Sequence, residues 1–276
     1  MLDLQKAGTY DAILTRELAD LIQGLPAERV IKKALEGEVA PDLLSRHLAF
    51  LVRSAIRNVK GETVSEQALE RVKLSNQLLR ALQQVIPEAI EDSDFINEEN
   101  ENRLWAITRP GQDAKSLIEP EVGLTTSALL FNGKDQPQIG SELRKELTTA
   151  DDVDLLCSFI KKSGLALVEK RLAEVIGRGG KVRILTTTYM GATQKSAVDA
   201  LVELGAEVRI SYMGDTSRLH AKAWIIHRNT GASTAYVGSS NLSAAAMKDG
   251  LEWNVRLSER EQPHLISTIA GTFDDQ

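Results

Sequence analysis

Residues 218–252 constrain the fold and the chemistry of this chain more than any other stretch. His220 and Lys222 lie two residues apart in an apolar run that is typical of a strand. Because side chains alternate across a strand, the run predicts that His220, Lys222, Trp224 and Ile226 share one face. An imidazole beside an ammonium is costly to bury without a partner. The pair therefore predicts that an anion binds against it.

A small polar turn, GSSN at residues 238–241, comes later in the same stretch, directly after the next predicted strand. The next residues, LSAAA, predict the start of a helix. The turn therefore offers an anion small side chains, hydroxyl and amide donors, and exposed backbone N–H groups. Together with His220, it predicts a phosphate site that contains a nucleophile.

The second part of the chain alternates strands and helices. The predicted strands are residues 127–131, 153–159, 182–187, 207–211, 219–226, 234–237 and 253–257, and the predicted helices are residues 141–149, 164–176, 193–204 and 267–273. This alternation predicts an α/β layered sheet. Ligands of such sheets bind outside the carboxyl ends of the strands. The polar loops at residues 186–191 and 211–215 are therefore expected at the rim of the site.

The first part of the chain predicts helices, with the clearest at residues 42–60 and 65–85. We expect a helical domain at residues 1–110 and the α/β domain at residues 111–276. The first of these helices has an apolar stripe, formed by Leu44, Leu48, Leu51, Val52, Ala55, Ile56 and Val59.

The opposite face of the same helix carries basic side chains, those of Arg46, Arg53, Arg57 and Lys60. Two interpretations stay open. The four side chains form either the solvated face of a bundle helix or a ridge that contacts the phosphates of a nucleic acid. His47 beside them is expected to be solvated.

Composition limits the class of protein. No apolar run is long enough to cross a bilayer, and the first residues, MLDLQKAGTYDAIL, lack a signal-peptide pattern. The single cysteine, Cys157, cannot form an internal disulfide and fits a reducing cytoplasm, which is the expected location. It lies in an apolar run, so we expect a buried structural thiol. The net charge of −6 is unfavourable to nucleic-acid binding.

The pair HxK at residues 220–222, followed by GSSN and by Glu252, resembles the HKD motif of the phospholipase D superfamily. The surrounding sequence is similar to the phospholipase D-like nuclease module that precedes the helicase domains of bacterial superfamily II helicases. The similar segments are LTTTYMGAT, RLHAKAW, GSSNLS and GLEWNVRLS. The resemblance covers residues 117–276 well and the helical part loosely, through PDLLSRHLAFLVRSAI. It implies a phospholipase D-like layered sheet with flanking helices.

The resemblance also implies a role for each site residue. His220 would attack phosphorus and form a phosphohistidine without a metal or another cofactor. Lys222 and Asn241 would hold the nonbridging oxygens, with Ser239 assisting. Glu252 would orient and polarise the imidazole.

The chain departs from the family pattern at two points. The family has an aspartate five residues after the lysine, where this chain has His227, and alternation predicts that residue 227 lies on the face opposite His220. The chain also holds one HKD motif, whereas the leaving group needs a second histidine as general acid. Neither His47 nor His264 has a lysine at the right spacing. Either two chains pair their motifs as a homodimer, or this copy is inactive.

The resulting hypothesis is a metal-independent phosphodiesterase that acts on nucleic acid, as the N-terminal region of a larger helicase or defence-type protein. One alternative is a nucleic-acid-binding or dimerisation module that keeps the fold without turnover, which the acidic charge and the single motif favour. A lipid phosphodiesterase is the other alternative. The sequence shows no amphipathic helix with bulky aromatic residues, and aromatic residues total only 4%. We therefore expect no membrane partner.

Overall fold

The structure, a computed structural model, describes residues 8–99, 102–133, 136–212 and 219–276. Its chain divides into two compact units, Met1–Ile107 and Thr108–Gln276. That each unit is an independent domain stays a prediction. No helix among the described residues is both long and apolar enough to span a membrane.

The N-terminal unit is helical, as the sequence predicts, with helices α1 (Arg16–Ile22), α2 (Ala40–Asn58) and α3 (Val64–Val85). Thr63 caps α3 by accepting the backbone N–H of Glu66 at 3.1 Å. The predicted apolar stripe of α2 is only partly covered. Val52, Ile56 and Val59 are half-buried, whereas the side chains at the start of the stripe, those of Leu44, Leu48 and Leu51, are 43–58% exposed.

The second unit is built on a seven-stranded sheet in the order β1-β7-β6-β5-β2-β3-β4. The strands are β1 (Ala128–Phe131), β2 (Asp152–Cys157), β3 (Val182–Thr187), β4 (Glu207–Ser211), β5 (Lys222–His227), β6 (Thr234–Gly238) and β7 (Trp253–Ser258). Strands β2, β3 and β4 are parallel, and β5, β6, β7 and β1 continue the sheet with antiparallel pairing. Its helices are α4 (Ile139–Glu146), α5 (Lys162–Leu165), α6 (Glu169–Gly177), α7 (Lys195–Glu203), α8 (Ala244–Lys248) and α9 (Pro263–Asp274). The predicted α/β layered sheet with flanking helices, preceded by a helical part, is confirmed.

The main core lies between one face of the sheet and helices α4, α6 and α7. Leu143, Leu172 and Leu201, one from each of these helices, are fully buried in the same cluster as Trp224 and Ile226 of β5. Helix α9 packs on β5, β6 and β7. Its residues Phe273 and Asp274 contact Arg183, whose strand neighbours Val182 and Ile184 point into the main core, so α9 covers the opposite face.

Two predicted helices differ from the observed ones. The predicted helix at residues 164–176 is split, because Val168, directly before α6, has a non-helical φ of −123°. The last helix begins at Pro263, earlier than residue 267. Proline suits the first position of a helix because its φ is already fixed and the N–H that it lacks would have no partner there.

A buried ion network joins α4 to the sheet. Glu146, at the end of α4, is fully buried and accepts from Arg256 Nε at 2.6 Å, Arg228 Nη2 at 3.1 Å, the Tyr236 hydroxyl at 2.6 Å and the Thr234 hydroxyl. Burial alone would raise the pKa of Glu146. The charges of the two arginines and the two hydroxyl donors outweigh burial and lower this pKa.

Replacing Glu146 by alanine should lower the free energy of unfolding by about 3–5 kcal/mol, because two buried guanidinium groups lose their carboxylate. Denaturant unfolding at neutral pH measures the loss, and Glu203→Ala, at an exposed position of α7, is the matched control. The folded-state pKa of Glu146 lies below its usual value of 4.5. The contribution is therefore present above about pH 4.5 and is lost as the pH falls through the folded-state pKa. A loss below about 1 kcal/mol at neutral pH would contradict a stabilising network.

Candidate active site

The predicted site residues come from three segments that meet at one edge of the sheet. His220 and Lys222 lie at the start of β5, Ser239 and Asn241 follow β6, and Glu252 precedes β7. Strands β5, β6 and β7 are neighbours with alternating directions. The start of β5, the end of β6 and the start of β7 therefore share an edge with the carboxyl ends of β2, β3 and β4. The rim loop predicted at residues 186–191 lies at this edge, whereas residues 213–215 of the other loop fall outside the described residues.

The β2–β5 ladder ends beside His220 and Lys222. Cys157, the last residue of β2, pairs with Lys222, the first residue of β5. His220 therefore lies outside the strand, although the sequence predicts a strand over residues 219–226. Lys222 is only 7% exposed and points to the same side as Trp224 and Ile226. His220 itself is exposed, which leaves the ring accessible to a substrate.

The Lys222 ammonium is held against His220. Its Nζ lies 2.7 Å from the His220 carbonyl oxygen and 3.2 and 3.1 Å from the ring atoms Nδ1 and Nε2. A neutral imidazole has a single acceptor nitrogen, so only one ring contact is a hydrogen bond in either tautomer. Burial lowers the pKa of Lys222, and the nearby carboxylate of Glu252 partly offsets this effect.

Asn241 is oriented by the segment that follows β2. Its Oδ1 accepts the backbone N–H of Phe159 at 3.0 Å and lies 3.8 Å from Cys157 Sγ. The backbone N–H of Leu242 donates to the Phe159 carbonyl oxygen at 3.2 Å, and that of Lys161 donates to the Leu242 carbonyl oxygen at 2.8 Å. With Oδ1 occupied, the amide Nδ2 of Asn241 points away from this anchor. Among the described residues none accepts from it, so it can donate to a ligand.

Two glycines allow the close packing of the turn. A Cβ at Gly238 would lie 2.1 Å from the Trp253 carbonyl oxygen, and one at Gly164 would lie 2.3 Å from the Leu242 carbonyl carbon. No side chain fits at either position without moving backbone. Gly238 thus keeps β6 close to β7, and Gly164 lets α5 pack against the turn.

Ser239 and Glu252 form a second contact at the site. The Ser239 hydroxyl donates to the Glu252 carboxylate and accepts the backbone N–H of Trp253 at 3.2 Å. In the described part of the chain, Glu252 makes no hydrogen bond to His220. The resemblance implies that Glu252 orients the His220 imidazole, but within the described residues of a single chain no hydrogen bond joins the two side chains.

Cys157 is buried beneath the turn. Its Sγ accepts the backbone N–H of Leu242 at 3.2 Å and lies 3.1 Å from the Phe159 carbonyl oxygen. Burial raises the pKa of the thiol to about 11. The thiol thus packs under the turn and stays protonated at neutral pH.

The other histidines lie elsewhere. His227 ends β5 at the opposite edge of the sheet, on the opposite face from Lys222, and its Nε2 lies 2.7 Å from the Asp154 carboxylate. Burial would raise the pKa of Asp154, but its bonds to His227 and Arg183 lower it. His264 lies in the first turn of α9, after β7 has run to the same far edge. His47 belongs to α2 in the N-terminal unit.

The remaining predicted residues are on α2. Arg46, Arg53, Arg57 and Lys60 are all exposed. In the described ranges, no group of three or more histidine, cysteine, aspartate or glutamate side chains is arranged to hold a metal ion. The positioning groups at residues 157–161 were not predicted, because they act through backbone atoms and a buried thiol, which no side-chain motif reveals.

Comparison with known proteins supports the PLD-like fold. The profile of the family described as "Cardiolipin synthase, PLD-like domain" matches residues 143–275. No curated protein sequence matches the chain.

Several solved structures are similar. NucT from Helicobacter pylori is 16% identical, with 54% of this chain and 94% of that chain covered and a TM-score of 0.43. Nuc from Salmonella typhimurium, a phospholipase D family member, is 20% identical, with 54% of this chain and 92% of that chain covered and a TM-score of 0.41. Yeast tyrosyl-DNA phosphodiesterase is 11% identical, with 48% of this chain and 31% of that chain covered and a TM-score of 0.35.

Proposed function

We propose that this protein is a metal-independent phosphodiesterase that cleaves nucleic acid through a phosphohistidine intermediate. The observation that carries the proposal is the arrangement of three groups at one edge of the sheet. His220 is exposed, the Lys222 ammonium lies against its ring, and the Asn241 amide is turned outward by the bond from Phe159. A nucleophile beside two donors suits attack on a phosphodiester.

The reaction has two displacements. A ring nitrogen of His220 forms a bond to phosphorus, the bond from phosphorus to the leaving oxygen breaks, and that oxygen takes a proton from a general acid. Water then attacks the phosphohistidine, gives its proton to the same group, and the phosphorus–nitrogen bond breaks. Lys222 and Asn241 hold the nonbridging oxygens in both steps. The Ser239 hydroxyl, whose one proton goes to Glu252 within the single chain, assists by turning that proton to a nonbridging oxygen when the substrate binds.

The general acid is a second histidine, which we assign to a second copy of the chain. His227 and His264 lie at the far edge of the sheet and cannot protonate a leaving group at the site. A homodimer in which two motifs face one phosphate supplies a second His220. The predicted facing segments are residues 218–222 and 238–241; of these, residue 218 lies outside the described residues. In this dimer, Glu252 would orient a His220 imidazole only once the two chains have assembled, which is the role that the resemblance gives it.

A polynucleotide substrate is favoured by cations beside the turn. Lys161 and Lys162 are exposed and follow the segment that binds Asn241 and Leu242. Such positions suit the phosphates next to the cleaved one, which a polynucleotide has and a lipid with a single phosphate, such as phosphatidylcholine, lacks. We also propose that the chain precedes a helicase domain, as the resemblance implies. The competing function is a nucleic-acid-binding module without turnover, and its expected result is binding without cleavage.

His220→Ala should reduce cleavage of DNA or RNA by at least about 10³-fold, because the covalent nucleophile is lost. The assay measures initial rates on single-stranded, duplex and RNA substrates, with a phosphatidylcholine dispersion as the lipid comparison. His264→Ala, at an exposed position far from the site, is the matched control and should keep full activity. We expect chelator to have no effect. Full activity of purified His220→Ala, or a strict Mg²⁺ requirement, would reject the mechanism.

We separately propose that the four cations on the basic face of α2 contact the phosphates of a nucleic acid. Neutralising Arg46, Arg53, Arg57 and Lys60 to glutamine should weaken binding and reduce the log–log salt dependence by about 0.9 per lost contact with duplex DNA. The matched control neutralises four exposed cations elsewhere in the same unit, Arg16, Arg29, Lys32 and Lys33. If both variants change the slope equally, only net charge matters, and α2 has a solvated face.

A further inference from the structure

One face of the sheet carries uncovered apolar side chains next to the site. We call them the apolar patch: Leu129, Phe131, Val237, Trp253 and Val255. In the sheet register Leu129 pairs with Val255, Phe131 pairs with Trp253, and Val237 pairs with Val255. Cross-strand partners point to the same side of a sheet, so the five side chains are contiguous. They are 40–66% exposed.

Helix α9 covers a neighbouring part of this face but not the patch. Ala235, further along β6, and its cross-strand partner Ile225 on β5 are buried, and α9 packs on β5, β6 and β7. The patch lies at the end of the sheet that holds the site. It contains no charged side chain, and its exposed apolar area is on the order of 400 Å². A continuous apolar surface of that size marks an interaction site more often than a solvated face.

The patch is continuous with the site. The backbone N–H of Trp253 donates to Ser239 Oγ at 3.2 Å, and Trp253 follows Glu252 directly. Val237 directly precedes Gly238 at the start of the turn. A partner that contacts the patch therefore also reaches the edge where His220 lies.

We propose that the apolar patch is the hydrophobic contact between two copies of this chain. This inference rests on the proposed function, because the site lacks a second histidine and a second copy supplies it. In a two-fold assembly each chain presents the same patch, so apolar surface meets apolar surface. A standard interface buries about 800 Å² per partner. The patch would supply roughly half of that, and the polar site edge would supply the remainder.

The test replaces Leu129 and Val255 by arginine in one variant. These cross-strand neighbours are exposed and outside the catalytic residues. Val202→Arg, at a 56% exposed position of α7, is the matched control. In sedimentation velocity at about 10 µM, a concentration at which interfaces with micromolar affinity form, wild type and control should be dimers. The double variant should be a monomer with unchanged far-ultraviolet circular dichroism. A monomeric wild type, or a double variant that stays dimeric, overturns the inference.

A second measurement does not depend on the folding of the double variant. Fluorescence of wild type should shift to the red on dilution below the dimer affinity, because Trp253 becomes more exposed, and Trp253→Phe should lose this shift. Emission that is independent of concentration overturns the inference.

Nuclease assays separate this inference from the proposed function. A monomeric double variant that is also inactive supports both. A monomeric double variant with full activity supports the interface and rejects the shared site. A double variant that stays dimeric but loses binding to an oligonucleotide or to phosphatidylcholine vesicles assigns the patch to that ligand instead. His220→Ala tests the nucleophile independently of all three results.

Discussion

The candidate site depends on how β2 ends. After Cys157 the chain leaves the β2–β5 ladder, and its backbone binds the turn that follows β6. This one change of partner has two effects. The ladder stops at Lys222, so the ammonium is enclosed while His220 stays exposed. The freed N–H of Phe159 binds Asn241 Oδ1 and turns the amide outward. Backbone hydrogen bonds thus position Lys222 and Asn241, the proposed oxygen-binding groups, beside His220, the proposed nucleophile.

The distribution of ion pairs explains how an acidic protein can hold an anion site. Several arginines of the second unit are engaged in ion pairs, among them Arg228 and Arg256 with Glu146, and Arg183 with Asp154 and Asp274. Lys222 has no carboxylate within ion-pair distance among the described residues; its ammonium contacts His220. The net charge of −6 therefore describes the chain as a whole, whereas the candidate site keeps one buried cation, Lys222, for the phosphate that we propose binds there.

The sequence predicts the layered sheet because buried strands and amphipathic helices have distinct periods. It also predicts which strand ends carry the site, because the motif residues are local. It does not predict where a ladder stops, since that depends on contacts distant in sequence, such as Phe159 with Asn241. The network around Glu146 is equally hidden, because a glutamate in a helix and arginines near strand ends usually lie at a surface. The stripe on α2 shows the converse, since its regular pattern does not ensure burial of Leu44 and Leu48.

In the proposed mechanism, the phosphodiester is cleaved in two displacements through His220. The stereochemical course at phosphorus tests it most directly, with an oligonucleotide that carries one chiral phosphorothioate of known configuration at the cleaved position. Each in-line displacement inverts phosphorus, so a phosphohistidine pathway should give net retention when hydrolysis in heavy-oxygen water is followed by configurational analysis of the product. Net inversion would show a single direct attack by water and would contradict His220 as the nucleophile.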